Sequence, residues 1–183
     1  TKYCRKKGEW DLFCCYIAAM TDRTLILDPQ RMARSIERMA WEIMEHHQDE
    51  AVVWVVGISE SGYKLAQLLQ EHLVKHAKFK SHLVEITINK KNPSKGPTTC
   101  SEDIPKGASM VIVDDVLNTG STLIYAVNHM LQLAAKHITT AVMVDRNHKR
   151  YPIKADIKGV SLSTSLRDHV EVDFSKNQAA YLR

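Results

Sequence analysis

The sequence predicts an α/β fold in which a mostly parallel central sheet is flanked by helices. Strand-length apolar runs alternate with stretches of helical periodicity over residues 20–183. Two clusters of small and polar residues each sit where such a run ends and a helical pattern begins, and no repeat or linker divides the chain. The 183 residues, 44% hydrophobic and 25% charged with seven glycines and five prolines, suit one globular domain able to bury a core without staples.

Asp28 and Pro29 read as an N-cap followed by proline at the first helical position. Met32, Ile36, Met39, Ala40, Ile43 and Met44 then repeat at helical spacing, which predicts an amphipathic helix ending near His46 and His47, with both histidines decorating its C-terminus. Trp41, Trp54 and the methionine stripe are assigned to the core. Residues 51–57 form a continuous apolar strand, and Leu65, Leu68, Leu69 and Leu73 mark a helix over 63–76. Over 82–89, Val84, Ile86 and Ile88 alternate onto one strand face. Residues 90–105 (KKNPSKGPTTCSEDIP) lack periodicity and are expected to be a lid, a binding loop or disorder. A strand over 109–113, a helix over 122–135 and a strand over 138–144 complete the alternation.

Several classes are excluded or disfavoured. No apolar run approaches the roughly 20 residues of a membrane-spanning helix. The net charge is +4, and Lys2, Arg5, Lys6 and Lys7 against Glu9 and Asp11 place half of it in the first 19 residues. The remainder is too weakly basic to make nucleic acid the default partner. Residues 1–19 are expected to be an N-terminal extension, disordered or not native, with Met20 a natural start and the domain spanning 20–183. Cys4, Cys14, Cys15 and Cys100 contain no CxxC pair, which points to reduced thiols and a cytoplasmic setting. His72 and His76 lie four apart, but HLVKH lacks the glutamate of HExxH and reads as helix surface.

In a doubly wound sheet, ligands sit at the carboxyl ends of the strands. There the sequence places VIVDDVLNTGSTL, residues 111–123. Two carboxylates ending a buried strand are costly unless a ligand uses them, and a vicinal diol offers two donors to such acceptors. Thr119-Gly120-Ser121-Thr122 would present backbone N–H groups at the positive end of a helix, where a phosphate fits. Together they describe a site for a ribose 5-phosphate. The second cluster, GISESGYK over 57–64, lacks the lysine directly after its second glycine that a phosphate loop of nucleotide hydrolases needs, yet remains able to hold a second anion.

VIVDDVLNTGST resembles the signature of the type I phosphoribosyltransferases, which bind 5-phosphoribosyl 1-diphosphate (PRPP). From Leu25 to about Asp173, the pieces LILDPQRMARSIERMAWEI, VGISESG, AVMVDRNHKRYPIKAD and GVSLSTS resemble the PyrR family of bifunctional pyrimidine-operon regulators with uracil phosphoribosyltransferase activity. The resemblance implies a type I phosphoribosyltransferase fold, with a small hood and a flexible loop beside the central sheet. It implies transfer of ribose 5-phosphate from PRPP to a nucleobase, uracil giving UMP and diphosphate. It assigns the ribose hydroxyls to Asp114 and Asp115, and the 5-phosphate to Asn118, Thr119, Gly120, Ser121 and Thr122. It gives the diphosphate to Ser59, Glu60, Ser61 and Gly62, and makes residues 144–152 a hood over the base with Arg146 as base-binding side chain. Lys90, Lys91 and Lys95 would ride on the mobile lid. The implied cofactor is Mg²⁺, near Asp114 and Asp115, and the implied assembly a homodimer or higher homo-oligomer.

Departures from the family pattern narrow the reading. Asn118 and Ser121 replace a tyrosine and an arginine of the regulators' VDDVLYTGRT, and Glu60 stands in a loop that is usually basic. On the first helix the regulators' RNA-contacting TRxxH corresponds to Glu37, Arg38 and Trp41, and their late lysine to Val160, although Thr164 keeps the threonine. An RNA partner is therefore not expected. The rival functions are a nucleotide-sensing RNA-binding regulator with little catalysis and salvage of a purine base.

Overall fold

The computed structural model describes residues 23–89, 96, 98–163, 168–175 and 178–183. The expectations for the N-terminal extension, for Lys90, Lys91 and Lys95, and for Thr164 fall outside the described residues. Strand β1 (Thr24–Leu27) leads into helix α1 (Pro29–His46), followed by β2 (Val52–Ile58), α2 (Ser59–His76), β3 (Lys80–Thr87), β4 (Thr99–Cys100), β5 (Ser109–Leu117), α3 (Ser121–Leu131), β6 (His137–Asp145), β7 (Ile157–Ser161), β8 (Val170–Asp173) and β9 (Ala179–Leu182).

Six strands form the central sheet in the order β4-β3-β2-β5-β6-β7, all parallel except the antiparallel edge pair β3 and β4. Its middle strands are buried on both faces, which is why they read as unbroken apolar runs. One face carries α1 and α2, whose Met32, Met39, Ile43, Leu65, Leu69 and Leu73 pack on Val53, Val55, Val111 and Val113. The other carries α3, where Leu123, Ala126 and Met130 meet Val56, Met110, Ile112 and Val142. Among the described residues, no helix is long and apolar enough to cross a membrane.

A separate three-stranded antiparallel sheet, β1-β9-β8, joins the two ends of the described chain, with Thr24 opposite Leu182 and Val170 opposite Leu182 on the other side. This small sheet packs beside the main one, against β5 and α1. Residues 144–152 are not part of it: Val144 and Asp145 end β6, and the rest of that segment belongs to the connection between β6 and β7.

Helix α1 starts as its sequence dictates, with Asp28 accepting from the Arg31 N–H at 2.8 Å and Pro29 in the first turn. Other expectations need correction. Helix α2 begins at Ser59 rather than Tyr63, so the expected loop is the helix's own first turn. Strand β5 runs on to Leu117 and takes Asp114 and Asp115 into the sheet. Helix α3 stops at Leu131, because Gln132, Leu133 and Ala134 tighten into bonds to residues three back and Ala134 turns to φ +52°. The aperiodic segment holds a two-residue strand, β4. Trp41 is 52% exposed rather than core; His47 is the C-cap of α1, as expected, and is 1% exposed. Trp54 is half-buried and stacks on His82 with ring centroids 4.7 Å apart.

Candidate functional site

The carboxyl ends of β2 and β5 lie side by side, Gly57 pairing with Val113, so the segments beyond them must meet. They touch at Gly62. A Cβ there would stand 2.7 Å from the Val113 carbonyl oxygen, 3.1 Å from the Asp114 Cα and 3.3 Å from Asp114 Oδ1. Only a residue without a side chain lets the first turn of α2 lie flat against the β5 carboxylate. Gly57 has the same duty one layer back, where a Cβ would be 2.5 Å from the Tyr63 Cα.

Asp114 is 5% exposed, and its Oδ1 accepts the Asp115 N–H at 3.0 Å, while Asp115 itself is half-buried. Asp114 shares a recess of about 50 Å³ with Val116 and with Leu117, Asn118, Thr119, Gly120, Ser121, Thr122 and Leu123. At Gly120 the chain turns at φ +81° into α3, under Ile153, whose Cγ2 would be 2.6 Å from any added Cβ. Gly120 is the N-cap and offers no capping side chain, and the first turn of α3 holds no acidic residue. The positive end of α3 is therefore left for something other than its own side chains. The Ser121 N–H leans on Thr119 Oγ1 at 3.3 Å.

The β6–β7 connection clasps this turn. Thr119 O accepts from the N–H groups of Arg150 at 2.9 Å and Tyr151 at 3.2 Å, and Leu117 O from the Arg146 N–H at 3.0 Å. Arg146 is 3% exposed and its guanidinium donates to Asn118 Oδ1 at 3.3 Å, which sets it beside the Asn118 turn. Behind it Asp145, fully buried, accepts from the Asn147 N–H at 3.1 Å and pairs with Lys149 at 3.1 Å and Lys158 at 2.7 Å. Burial pushes its carboxyl up, but the Lys158, Asn147 and Lys149 bonds prevail and hold it below the usual range. This cluster escaped the sequence reading. Its signal was present in AVMVD, an apolar strand ending on a carboxylate as VIVDD does.

At the other end, Ser59 turns at φ +50° straight from β2 into α2. Ser59, Glu60 and Ser61 line a recess of about 420 Å³ together with Glu85 and Thr87 from the end of β3, two residues that sequence reasoning did not single out. The structure thus brings Asp114 together with Gly62 on one side and the Asn118 to Thr122 turn on the other, and sets Arg146 next to Asn118.

On the first helix, the Arg38 guanidinium donates to the carbonyls of Lys158 at 2.6 Å and Gly159 at 3.0 Å and also pairs with Glu42. It covers the open edge of β7.

Comparison with known proteins agrees with this architecture. The phosphoribosyl transferase domain family matches residues 22–177. The chain is 31% identical over 170 residues to the bifunctional protein PyrR of Bacillus cereus (strain B4264), covering 86% of this chain and 93% of that protein. The PyrR of Bacillus anthracis (strain A0248) is similar to the same degree, 31% over 170 residues. Among solved structures, the hypoxanthine phosphoribosyltransferase of Trypanosoma cruzi superposes with a TM-score of 0.72 at 13% identity, over 87% of this chain and 95% of that one. A hypoxanthine-guanine phosphoribosyltransferase of Bacillus anthracis gives 0.69 at 15% identity, over 86% and 95%. The chain belongs to the phosphoribosyltransferase family, as a PyrR-like member with the type I fold.

Proposed function

We propose that the chain binds PRPP at the carboxyl ends of β2 and β5 and transfers its ribose 5-phosphate to a pyrimidine base, uracil, releasing UMP and diphosphate. The observation that carries this reading is the recess in which Asp114 meets the uncapped positive end of α3. Acceptors for a diol and backbone donors for a phosphate lie there within the span of one sugar phosphate. Uracil is preferred because the curated relatives matched over most of the chain are PyrR proteins.

In this reading Asp114 and Asp115 accept the ribose hydroxyls, and the N–H groups opening α3 hold the 5-phosphate. The fixed sugar then presents its anomeric carbon to the base nitrogen while the diphosphate departs at the Ser59 to Gly62 turn. Arg146, held against Asn118, ties the base-side connection to the phosphate turn. The donor set suits Mg²⁺. Asp114 and Asp115 are hard oxygen ligands, and Mg²⁺ is commonly held by one or two carboxylates together with substrate oxygens. When bound, Mg²⁺ supplies neutralisation of the departing diphosphate. An RNA-binding role has less support, because Arg38, the one TRxxH residue retained, is spent on the β7 edge.

The test is diphosphate release from PRPP with Mg²⁺ and a panel of uracil, orotate, hypoxanthine, guanine and adenine. Turnover with uracil alone is expected. Turnover with a purine would replace the base assignment, and silence with every base in protein that binds PRPP would replace transfer by sensing.

A further inference from the structure

The two helices that open at this site present opposite electrostatics. Helix α3 begins at Gly120 with no acidic residue in its first turn, and its positive end opens onto the recess that Asp114 also lines. Helix α2, 18 residues long, carries Glu60 in its first turn, which puts a negative charge beside that positive end although no side chain caps it. Glu85 reinforces it from the next strand. It lies opposite Gly57 in the parallel pair β2 and β3, and its main chain is fixed on both sides, its N–H donating to Ser101 Oγ at 3.0 Å and its carbonyl accepting the Ser101 N–H at 2.9 Å. Both glutamates line the one recess beside Ser59 and Ser61, and among the described residues neither has an ion-pair partner.

We propose that Glu60 and Glu85 make the leaving-group end of the site select against an uncomplexed diphosphate, so that affinity resides in the ribose and 5-phosphate contacts. The inference rests on the reading of the site as one for PRPP and goes beyond it by naming the residues that set its ligand preference. Carboxylates facing a diphosphate repel it, and removing the like charge from a partly exposed recess strengthens binding by about tenfold at low salt. The site then holds ribose 5-phosphate about as well as free PRPP, the diphosphate adding little to the affinity.

The test is calorimetric titration in low-salt, metal-free buffer with three probes, ribose 5-phosphate, PRPP and inorganic diphosphate. The proteins are wild type and the Glu60→Gln, Glu85→Gln double variant, whose near-isosteric changes at solvent-reachable positions preserve the fold. In the wild type, ribose 5-phosphate and PRPP are expected to bind within about threefold of each other and diphosphate not at all. In the double variant, PRPP is expected to bind about tenfold tighter with ribose 5-phosphate within about twofold of wild type, the gain shrinking at about 1 M salt. Wild type that prefers PRPP by about a hundredfold, or a variant whose PRPP affinity is unchanged, overturns the proposal while leaving the PRPP site standing. No binding of ribose 5-phosphate or PRPP by either protein overturns both.

Discussion

Gly62→Ala tests whether the site is assembled by the packing of α2 against β5. The added methyl would stand 2.7 Å from a backbone oxygen, and ordinary contact begins near 3.4 Å, so helix and strand must part by roughly half an ångström. Neither neighbour yields easily, because Val113 is fully buried and Asp114 is 5% exposed. Overpacking of this kind costs about 1–3 kcal/mol, whereas alanine in place of glycine in a helix returns up to ~1 kcal/mol. The net is a destabilisation of about 1 kcal/mol, read as a fall in Tm of roughly 2–4 °C for a chain of this size. The functional effect should exceed the thermal one. Displacing the Asp114 Cα relative to the Asn118 to Thr122 turn misplaces the ribose against its own phosphate, and a 1 Å error of position costs on the order of a hundredfold in rate. A tenfold or greater loss of diphosphate release at saturating PRPP, with the Tm only slightly lowered, is expected. A variant as stable as wild type with undiminished turnover would show that the α2 contact does not position the carboxylate.

If both side chains accept the sugar hydroxyls as proposed, Asp114→Asn with Asp115→Asn should weaken PRPP binding at least tenfold by calorimetry while leaving the far-ultraviolet circular dichroism unchanged. His47, capping α1 with Nε2 3.0 Å from Thr139 Oγ1 and its ring 4.6 Å from that of His137, is held at a pKa of about 4 by burial and then by His137, outweighing the opposing pull of Glu50. A histidine kept neutral in the fold but free to protonate when unfolded gives stability that is complete above about pH 6.5 and lost as pH falls toward 4. Urea melts should show about 2 kcal/mol of that loss between pH 7 and pH 4.5 disappearing in His47→Gln, after allowance for screening by water. Asp145→Asn should cost about 2 kcal/mol at pH 7, less than for a fully buried pair because Lys149 and Lys158 keep 20% and 31% of their side chains in solvent. Because the Asp145 carboxyl is held low, that cost should fade as pH drops below the ordinary carboxylate range and wild type protonates as well.

The alternation of strands and helices was legible because the central strands are buried on both faces and the helices on one, two different periodicities written plainly in the sequence. The small sheet was not. Its strands are four residues each, and Thr24 meets Leu182 across nearly the whole chain, a pairing no local pattern encodes. Trp41 was misassigned by its company: it comes directly after Met39 and Ala40, but one further residue turns it about 100° off the buried stripe. His47 caps α1 as its position suggested, but its burial was not legible, because it lies one residue past the helix, against Phe79 and His137. At the site, the order of residues showed which carboxylates and which turn lie at strand ends. The distance between the two turns was hidden, because it depends on the glycine contact between α2 and β5.

The clasp of the β6–β7 connection on Thr119 changes how the base side of the site should be understood. Sequence resemblance divides the segments by ligand, one turn for the phosphate and another for the base. The backbone bonds from Arg150 and Tyr151 to Thr119, the seat of Ile153 on Gly120 and the bond from Arg146 to Asn118 make these one mechanical unit. Asp145 anchors that unit from beneath through two lysines, one within the connection and one on β7. A displacement of the β6–β7 connection must therefore be felt at the Asn118 to Thr122 turn, since Thr119 cannot keep both bonds if residues 150 and 151 move away. Loss of even one leaves a backbone group to find another partner, at a cost of about 1 kcal/mol. If the Asn118 to Thr122 turn holds the 5-phosphate and the β6–β7 connection faces the base, as proposed, the two ligand sites are expected to be coupled through these hydrogen bonds.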